Sequence, residues 1–252
     1  VYKRQEYTLK DSASQQQLQQ WNSFYQQATT QQGISFFAGS GDNGVTDAAN
    51  VFTDPSQEQF VNAPTSSFPN DEPWVTSVGG TVLTINTDGS AHEAAWNSNG
   101  GASGGGFSAF YAEPSFQKVL PSAIQSELNN RRGLPDVAAD ADPGTGVGAY
   151  DSIDGWFGTG GTSAATPVWA ALTAIADQMA GHPLGFINPA LYQIAASSKY
   201  SQDFRDITAG NNTFSGGGVN VQGYSAATGW DPVTGLGAPI ADHLLPDLIA
   251  TA

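Results

Sequence analysis

The stretch Gly160-Gly161-Thr162-Ser163-Ala164-Ala165-Thr166-Pro167, with the apolar run Val168-Trp169-Ala170-Ala171-Leu172 behind it, constrains this chain more than any other. Val168, Trp169, Leu172, Ile175, Ala176 and Met179 recur at helical spacing, which predicts a buried amphipathic helix. Pro167 suits its first turn, where a missing N–H costs nothing. Two glycines permit a tight approach, so Ser163 is expected at or just before the helix N-terminus. The unpaired amides and positive dipole end there favour negative charge on or near a hydroxyl. That is a good place for a nucleophilic serine. A Ser or Thr that merely caps a core helix is the plainer alternative.

A second glycine-rich loop lies well upstream. Ser14 to Gln32 reads as a helix, with Leu18, Trp21, Phe24, Tyr25 and Ala28 on one face and Gly33 at its end. Ile34 to Ala38 reads as a short, mostly buried strand leading into Gly39-Ser40-Gly41-Asp42-Asn43-Gly44. Helix, strand and loop make an αβ unit, and ligands in such sheets bind at the carboxyl ends of strands. Asp42 therefore stands where chemistry can occur; an Asx turn among glycines is the alternative. Further on, Val75–Val78 reads as a strand, Gly79-Gly80 as a turn into Thr81–Ile85, and Asn86–Gly89 as a hairpin turn with Ala91–Asn97 returning.

The cluster Gly100-Gly101-Ala102-Ser103-Gly104-Gly105-Gly106-Phe107-Ser108 lacks the Lys and spacing of a phosphate cradle, and reads as a flexible loop near a cleft. Asp136, Asp140 and Asp142 crowd one stretch. Asp136 is expected to accept backbone and Arg hydrogen bonds rather than to bind metal. In the last third, Asp206 and Asp231 are each flanked by glycine-rich turns, a pattern that offers carboxylate and carbonyl oxygens to a hard cation. Spacing alone favours ordinary turn chemistry there.

On these residues the chain resembles the sedolisins, or serine-carboxyl peptidases, the acid relatives of the subtilisin-like peptidases. The Gly-Thr-Ser-x-x-x-Pro string is shared, although Gly160 stands where the sedolisin form usually has Ser. Gly33 to Gly44 resembles the segment ending Ser-Gly-Asp-Ser-Gly, Val75 to Thr81 the Val-Thr-x-Val-Gly-Gly-Thr segment, and Arg132 to Val137 the Arg-Gly-x-Pro-Asp-Val strand. The resemblance runs from about Ser14 onward. It implies one subtilisin-like α/β domain over residues 1–252, with a mostly parallel central sheet and helices on both faces. It implies Ser163 as nucleophile and Asp42 in the oxyanion hole. It also implies one calcium ion held by Asp206, Ile207, Ala227, Gly229 and Asp231; Ala227-Thr228 replaces the family's Gly-Pro, which a carbonyl ligand can survive. The expected activity is acid hydrolysis of protein or peptide substrates by a secreted, extracellular monomer.

In this family a Glu backed by an Asp replaces the His of subtilisins. None of His92, His182 and His243 lies in the His-Gly-Thr context of a subtilisin base. The family's Glu-x-x-x-Asp helix pair is also missing: four residues after Glu6, Glu58, Glu72, Glu93, Glu113 and Glu127 stand Lys10, Asn62, Thr76, Asn97, Gln117 and Arg131. Glu6 and Asp11 are five apart and diverge on a helix. The substrate-edge motif does not match Tyr2-Lys3-Arg4. The expectation is a chain lacking the N-terminal third of a peptidase; the alternative is a non-catalytic, calcium-stabilised secreted domain that lost its base. Composition adds exclusions. With 23 acids against 8 bases and a formal charge of −15, the surface repels nucleic acid and anionic membranes. No segment has the roughly 18 apolar residues of a membrane helix, and the absence of Cys excludes disulfides and thiol chemistry.

Overall fold

The computed structural model describes residues 15–47 and 60–252. The opening Val1–Glu6, the Glu6–Asp11 pair and Glu58 lie outside them. Helix α1, Gln15–Gln32, buries Leu18 and Ala28 and ends at Gly33 as expected. Its Trp21 and Phe24 remain about half exposed, at 48% and 52%, in an aromatic cluster with Tyr25, Phe36 and Phe68.

Strand β1 is Phe37–Gly39 and β2 is Thr76–Ile85, the long central strand. No turn interrupts β2 at Gly79-Gly80, contrary to the sequence expectation. A Cβ at Gly79 would lie 2.7 Å from the Pro135 ring, and one at Gly80 2.7 Å from the Ala141 methyl and 2.9 Å from Trp96. These glycines serve close packing across a continuous strand. The hairpin that follows is as expected: β3, Ala91–Ala95, pairs antiparallel with β2, setting Ile85 opposite Ala91.

Two short strands, β4 Asn97–Ser98 and β5 Gly101–Ala102, pair with each other. Strand β6, Gly106–Ala112, pairs with β7, Arg131–Leu134, while helix α2, Ser122–Leu128, lies between them in sequence. Strand β8, Val137–Asp140, returns to the central sheet and runs parallel to β2, as β1 does. The result is an α/β fold with a mostly parallel central sheet. Next, β9 Val147–Asp151 and β10 Gly155–Thr159 form a hairpin exposing Tyr150, Ile153 and Trp156.

Helix α3, Thr162–Ala180, packs on β1, β2 and β8. Trp169 is buried at 1% exposure and its indole N–H donates to the Ala138 carbonyl at 2.9 Å, so its polar edge is satisfied inside the core. The helix begins earlier than the sequence suggests, which puts Pro167 in its second turn. There Pro167 has no N–H to offer the Ser163 carbonyl four residues back. The apolar face is also only half covered: Ala165, Trp169 and Ala176 are buried, but Val168, Ile175 and Met179 are exposed. Helices α4, Asn188–Ala195, α5, Tyr200–Asp203, and α6, Ala241–Thr251, complete that side, with Leu191, Tyr192, Leu244 and Leu248 in the shared core. Around them run the short strands β11 Phe204–Arg205, β12 Phe214–Gly216, β13 Val219–Val221 and β14 Ala238–Pro239. No described helix is long and apolar enough to cross a membrane.

One charge pair lies wholly inside. Arg132 donates to both oxygens of Asp136, at 2.8 and 2.5 Å, with both residues at 0% exposure. Burial works against the guanidinium charge, yet Asp136 holds Arg132 above its ordinary pKa. Asp136 also accepts from the Ser77 amide, the Asn188 side chain and the Tyr192 hydroxyl. Asp140 and Asp142 each bind their own local donors: Leu83 N–H and Thr145 for the first, Ser98, Asn99 and Gly144 N–H for the second.

Candidate active site

The two glycine-rich loops meet. Gly161, at φ +83, turns the chain into α3 and leaves room for a carboxylate: a Cβ there would lie 2.7 Å from Asp42 Oδ2. Thr162 then binds Asp42 Oδ1 twice, through its amide and its hydroxyl, each at 2.8 Å. The same hydroxyl accepts the Gly41 amide at 3.2 Å. Asp42 thereby sits on the N-terminal end of α3, where free amides and the helix dipole favour a carboxyl group. Ser163, the next residue, is exposed to solvent. The structure thus brings together the two residues that the sequence singled out from loops far apart.

The Asp42 loop is held by backbone on several sides. Ser40 N–H donates to the Val78 carbonyl, Gly104 N–H to Gly41 and Ala102 N–H to Asp42. Residues 102–106 are buried, so the glycine cluster is a packed segment and not the flexible loop its composition suggested. A Cβ at Gly104 would stand 1.9 Å from the Ser40 carbonyl oxygen, and only glycine allows that approach.

Behind this loop lies a pair of acids that sequence reasoning missed, Asp71 and Glu72. Asp71 accepts from the hydroxyls of Ser108, at 2.7 Å, and Ser66, at 3.3 Å. Glu72 accepts from the Trp74 amide and the Asn22 side chain. Burial pushes Asp71 up to about 6 and Glu72 up to about 7, Glu72 being raised further by Asp71 beside it. Burial and Glu72 likewise push the Tyr25 phenol up to about 12.

The three histidines lie on β3, just past the C-terminal end of α3, and on α6, all exposed. His182 is separated from Ser163 by the length of that helix, about 28 Å at 1.5 Å per residue. The last-third acids converge from two sides on the loop 227–229. Asp206 accepts from the Gly229 amide at 3.1 Å and the Tyr200 hydroxyl at 3.1 Å. Asp231 accepts from the amides of Ala227, Val233 and Thr234 and from the Thr234 hydroxyl. Burial raises Asp231 to about 6, and among the described residues no cationic side chain acts on it. Ile207 is buried at 1% exposure. Among the described residues no three His, Cys, Asp or Glu side chains group together, so a cation here would need backbone carbonyls as well.

No protein-family model matches the chain. It is similar to kumamolisin of Bacillus sp. (strain MN-32), at 38% identity over 87% of this chain and 37% of that protein. Sedolisin of Pseudomonas sp. (strain 101) is 36% identical over 82% of this chain and 33% of its own length. Tripeptidyl-peptidase 1 of Canis lupus familiaris is 32% identical over 95% and 41%. Among solved structures, Pseudomonas sedolisin, a serine-carboxyl proteinase complexed with pseudo-iodotyrostatin, superposes with a TM-score of 0.78 at 31% identity, covering 98% of this chain and 64% of that one. The chain spans only about a third to two fifths of the length of these curated relatives.

Proposed function

We propose that this homologue of the sedolisin-type serine-carboxyl peptidases is the Ser163-bearing part of an acid peptidase, which hydrolyses peptide bonds through an acyl-enzyme on Ser163 with Asp42 in the oxyanion hole. The observation that carries this reading is the pair of hydrogen bonds that the Thr162 amide and hydroxyl donate to Asp42 Oδ1, which puts a carboxyl group beside the proposed nucleophile. In that role a neutral Asp42 carboxyl donates to the charged oxygen of the tetrahedral intermediate, whereas an ionised one would repel it. An ordinary aspartic acid is neutral only near or below about pH 4. Acid conditions follow from that role.

The proton of Ser163 needs a base at roughly 2.6–3.2 Å. The sequence contains no Glu-x-x-x-Asp pair, so in this reading the base comes from a part of the protein outside the described residues. Two features support that. The exposed apolar face of α3 and the half-exposed aromatic face of α1 offer surface for more chain to cover. Among the described residues, β1 also ends the sheet. The absent pair equally favours one other reading, a related domain that kept the fold and lost catalysis.

One structural calcium ion belongs to the same proposal, held by the carboxylates of Asp206 and Asp231 and the carbonyls of Ile207, Ala227 and Gly229. The two acids flanking one loop, with Asp231 buried beside no cationic side chain among the described residues, suit a hard ion with oxygen ligands. Its role is to fix that loop. An extracellular, monomeric setting completes the reading.

The test is hydrolysis of an acid-unfolded protein between about pH 3 and 7, spanning the carboxyl range. The full-length protein is compared with residues 1–252 alone and with Ser163→Ala and Asp42→Asn. Expected are turnover by the full-length protein, none by Ser163→Ala or the 252-residue chain, and a loss on the order of 10²-fold or a shift to higher pH in Asp42→Asn. Turnover by the full-length protein that survives Ser163→Ala would end the reading. Activity in residues 1–252 that depends on Ser163 would relocate the base, with Glu6 and Asp11 the first to test.

A further inference from the structure

This inference rests on the peptidase reading above and concerns what holds its oxyanion loop in place. Asn70 is 2% exposed, and its Nδ2 lies 3.0 Å from the Ser40 carbonyl and 3.2 Å from that of Gly39. One amide nitrogen thus spans two successive carbonyls of the loop that ends in Asp42. Its Oδ1 is buried without a hydrogen-bond partner among the described residues. Turning the amide over would set Oδ1 against two carbonyl oxygens, which fixes the orientation as drawn. Donation is therefore the work this side chain does.

The other loop groups are already committed. Ser40 N–H is bound to Val78, Gly41 N–H to Thr162, and the carbonyls of Gly41 and Asp42 to the amides of Gly104 and Ala102. Gly104 also packs against the Ser40 carbonyl too closely for any larger residue. Asn70 donates to this carbonyl, two residues from the carboxyl that must meet the intermediate.

We propose that Asn70 is a positioning residue of the hydrolytic site, whose amide keeps the Asp42 carboxyl in register with Ser163. The geometry separates this from a general packing role. An Asp at position 70 would present oxygen to oxygen when ionised, but one O–H donor when protonated. Around it, Asp71 and Glu72 follow in sequence, Asp42 ends the loop, the Tyr25 and Tyr111 phenols stand by Glu72, and Arg132, which acts on Asp71 and Glu72 at longer range, is bound to Asp136.

The experiment measures kcat and KM of the full-length protein on an internally quenched peptide at pH 3 and pH 6, with thermal melts at each pH. The variants are Asn70→Leu, which keeps shape and removes the donor, and Asn70→Asp. Asn70→Leu is expected to lose on the order of 10- to 100-fold in kcat, with KM within about twofold. Asn70→Asp is expected to retain far more of the wild-type kcat at pH 3 than at pH 6. Should Asn70→Leu fail to fold, the pH contrast in Asn70→Asp decides. The proposal is overturned if kcat stays within about twofold of wild type in both variants, or falls only as the unfolded fraction rises. A wild-type protein without Ser163-dependent turnover would instead refute the peptidase reading itself, and this assignment with it.

Discussion

Asp136 and Asp71 are hidden from water to the same degree, at 0% and 2% exposure, and their surroundings treat them in opposite ways. Asp136 faces a guanidinium in two-point contact, an amide N–H, an Asn and a Tyr hydroxyl. Asp71 faces two hydroxyls and a second acid, with Arg132 acting on it only at longer range. A paired charge inside a protein demands its partner, whereas an unpaired carboxyl can discard its charge by taking up a proton. The first arrangement suits a scaffold that must stay fixed at every pH. The second makes part of the fold depend on acid.

The largest effect should come from breaking the first arrangement. Arg132→Leu leaves Asp136 buried and unpaired, and should cost about 3–5 kcal/mol by denaturant unfolding. A loss under about 1 kcal/mol would mean that the buried pair is worth no more than an exposed one, and the contrast would collapse.

The second test reads the Asp71–Glu72 pair through pH. Folded Asp71 holds its proton to about pH 6, against an ordinary value of 3.8, so the folded state binds more protons than the unfolded one in between. Stability should therefore fall as pH rises from about 4 to 6, by on the order of 3 kcal/mol from Asp71, and level off above. Glu72 extends the same fall to about pH 7. Asp71→Asn should flatten the lower part of that slope in urea midpoints taken at pH 4 and 7. A slope unchanged by the substitution would assign it to other groups.

Asp231 asks whether a buried acid without a protein cation can recruit one from solution. Calcium at 100 times its Kd should add about 2.7 kcal/mol, seen as a rise in Tm, and Asp231→Ala should abolish the increment. No rise with the wild-type chain would leave Asp206 and Asp231 as turn acids. The smallest effect belongs to Lys199 and Asp247, an ion pair at 2.7 Å whose lysine is 52% exposed. Its contact is no longer than the Arg132–Asp136 bonds by much, yet Lys199→Ala should cost under about 1 kcal/mol, because water competes for the charges.

Which of these features the sequence could reveal depends on whether their causes are local. The strings around Ser163 and Asp42 could be singled out in the sequence because each is short and carries its own glycines and hydroxyls, although those strings alone left a helix cap and an Asx turn open. Asp136 was legible because its principal partner, Arg132, lies four residues away. Asp71 and Glu72 were not: they fall in a Ser-, Pro- and Asn-rich stretch whose composition signals only a loop, and their partners Asn22 on α1 and Ser108 on β6 lie tens of residues away. Gly79-Gly80 was misread for the same reason, since the atoms that forbid a side chain there belong to Pro135, Ala141 and Trp96. The helical period of α3 located the helix but not its environment. Periodicity states which residues share a face, and only the neighbours decide whether that face is covered.

The interlock of Gly104 with Ser40 bears on how variation at this site would be interpreted. In a library screened for folding alone, position 104 would already tolerate nothing but glycine, because the nearest atoms, 1.9 and 2.4 Å from any added carbon, are backbone and cannot step aside. Catalysis need not be under selection for that constraint to hold. A descendant that had lost every hydrolytic function would keep the loop for as long as it kept the fold. Any invariance of Gly104 among relatives would therefore record architecture, and activity must be inferred from positions whose side chains would do the chemistry, the proposed nucleophile Ser163 first among them.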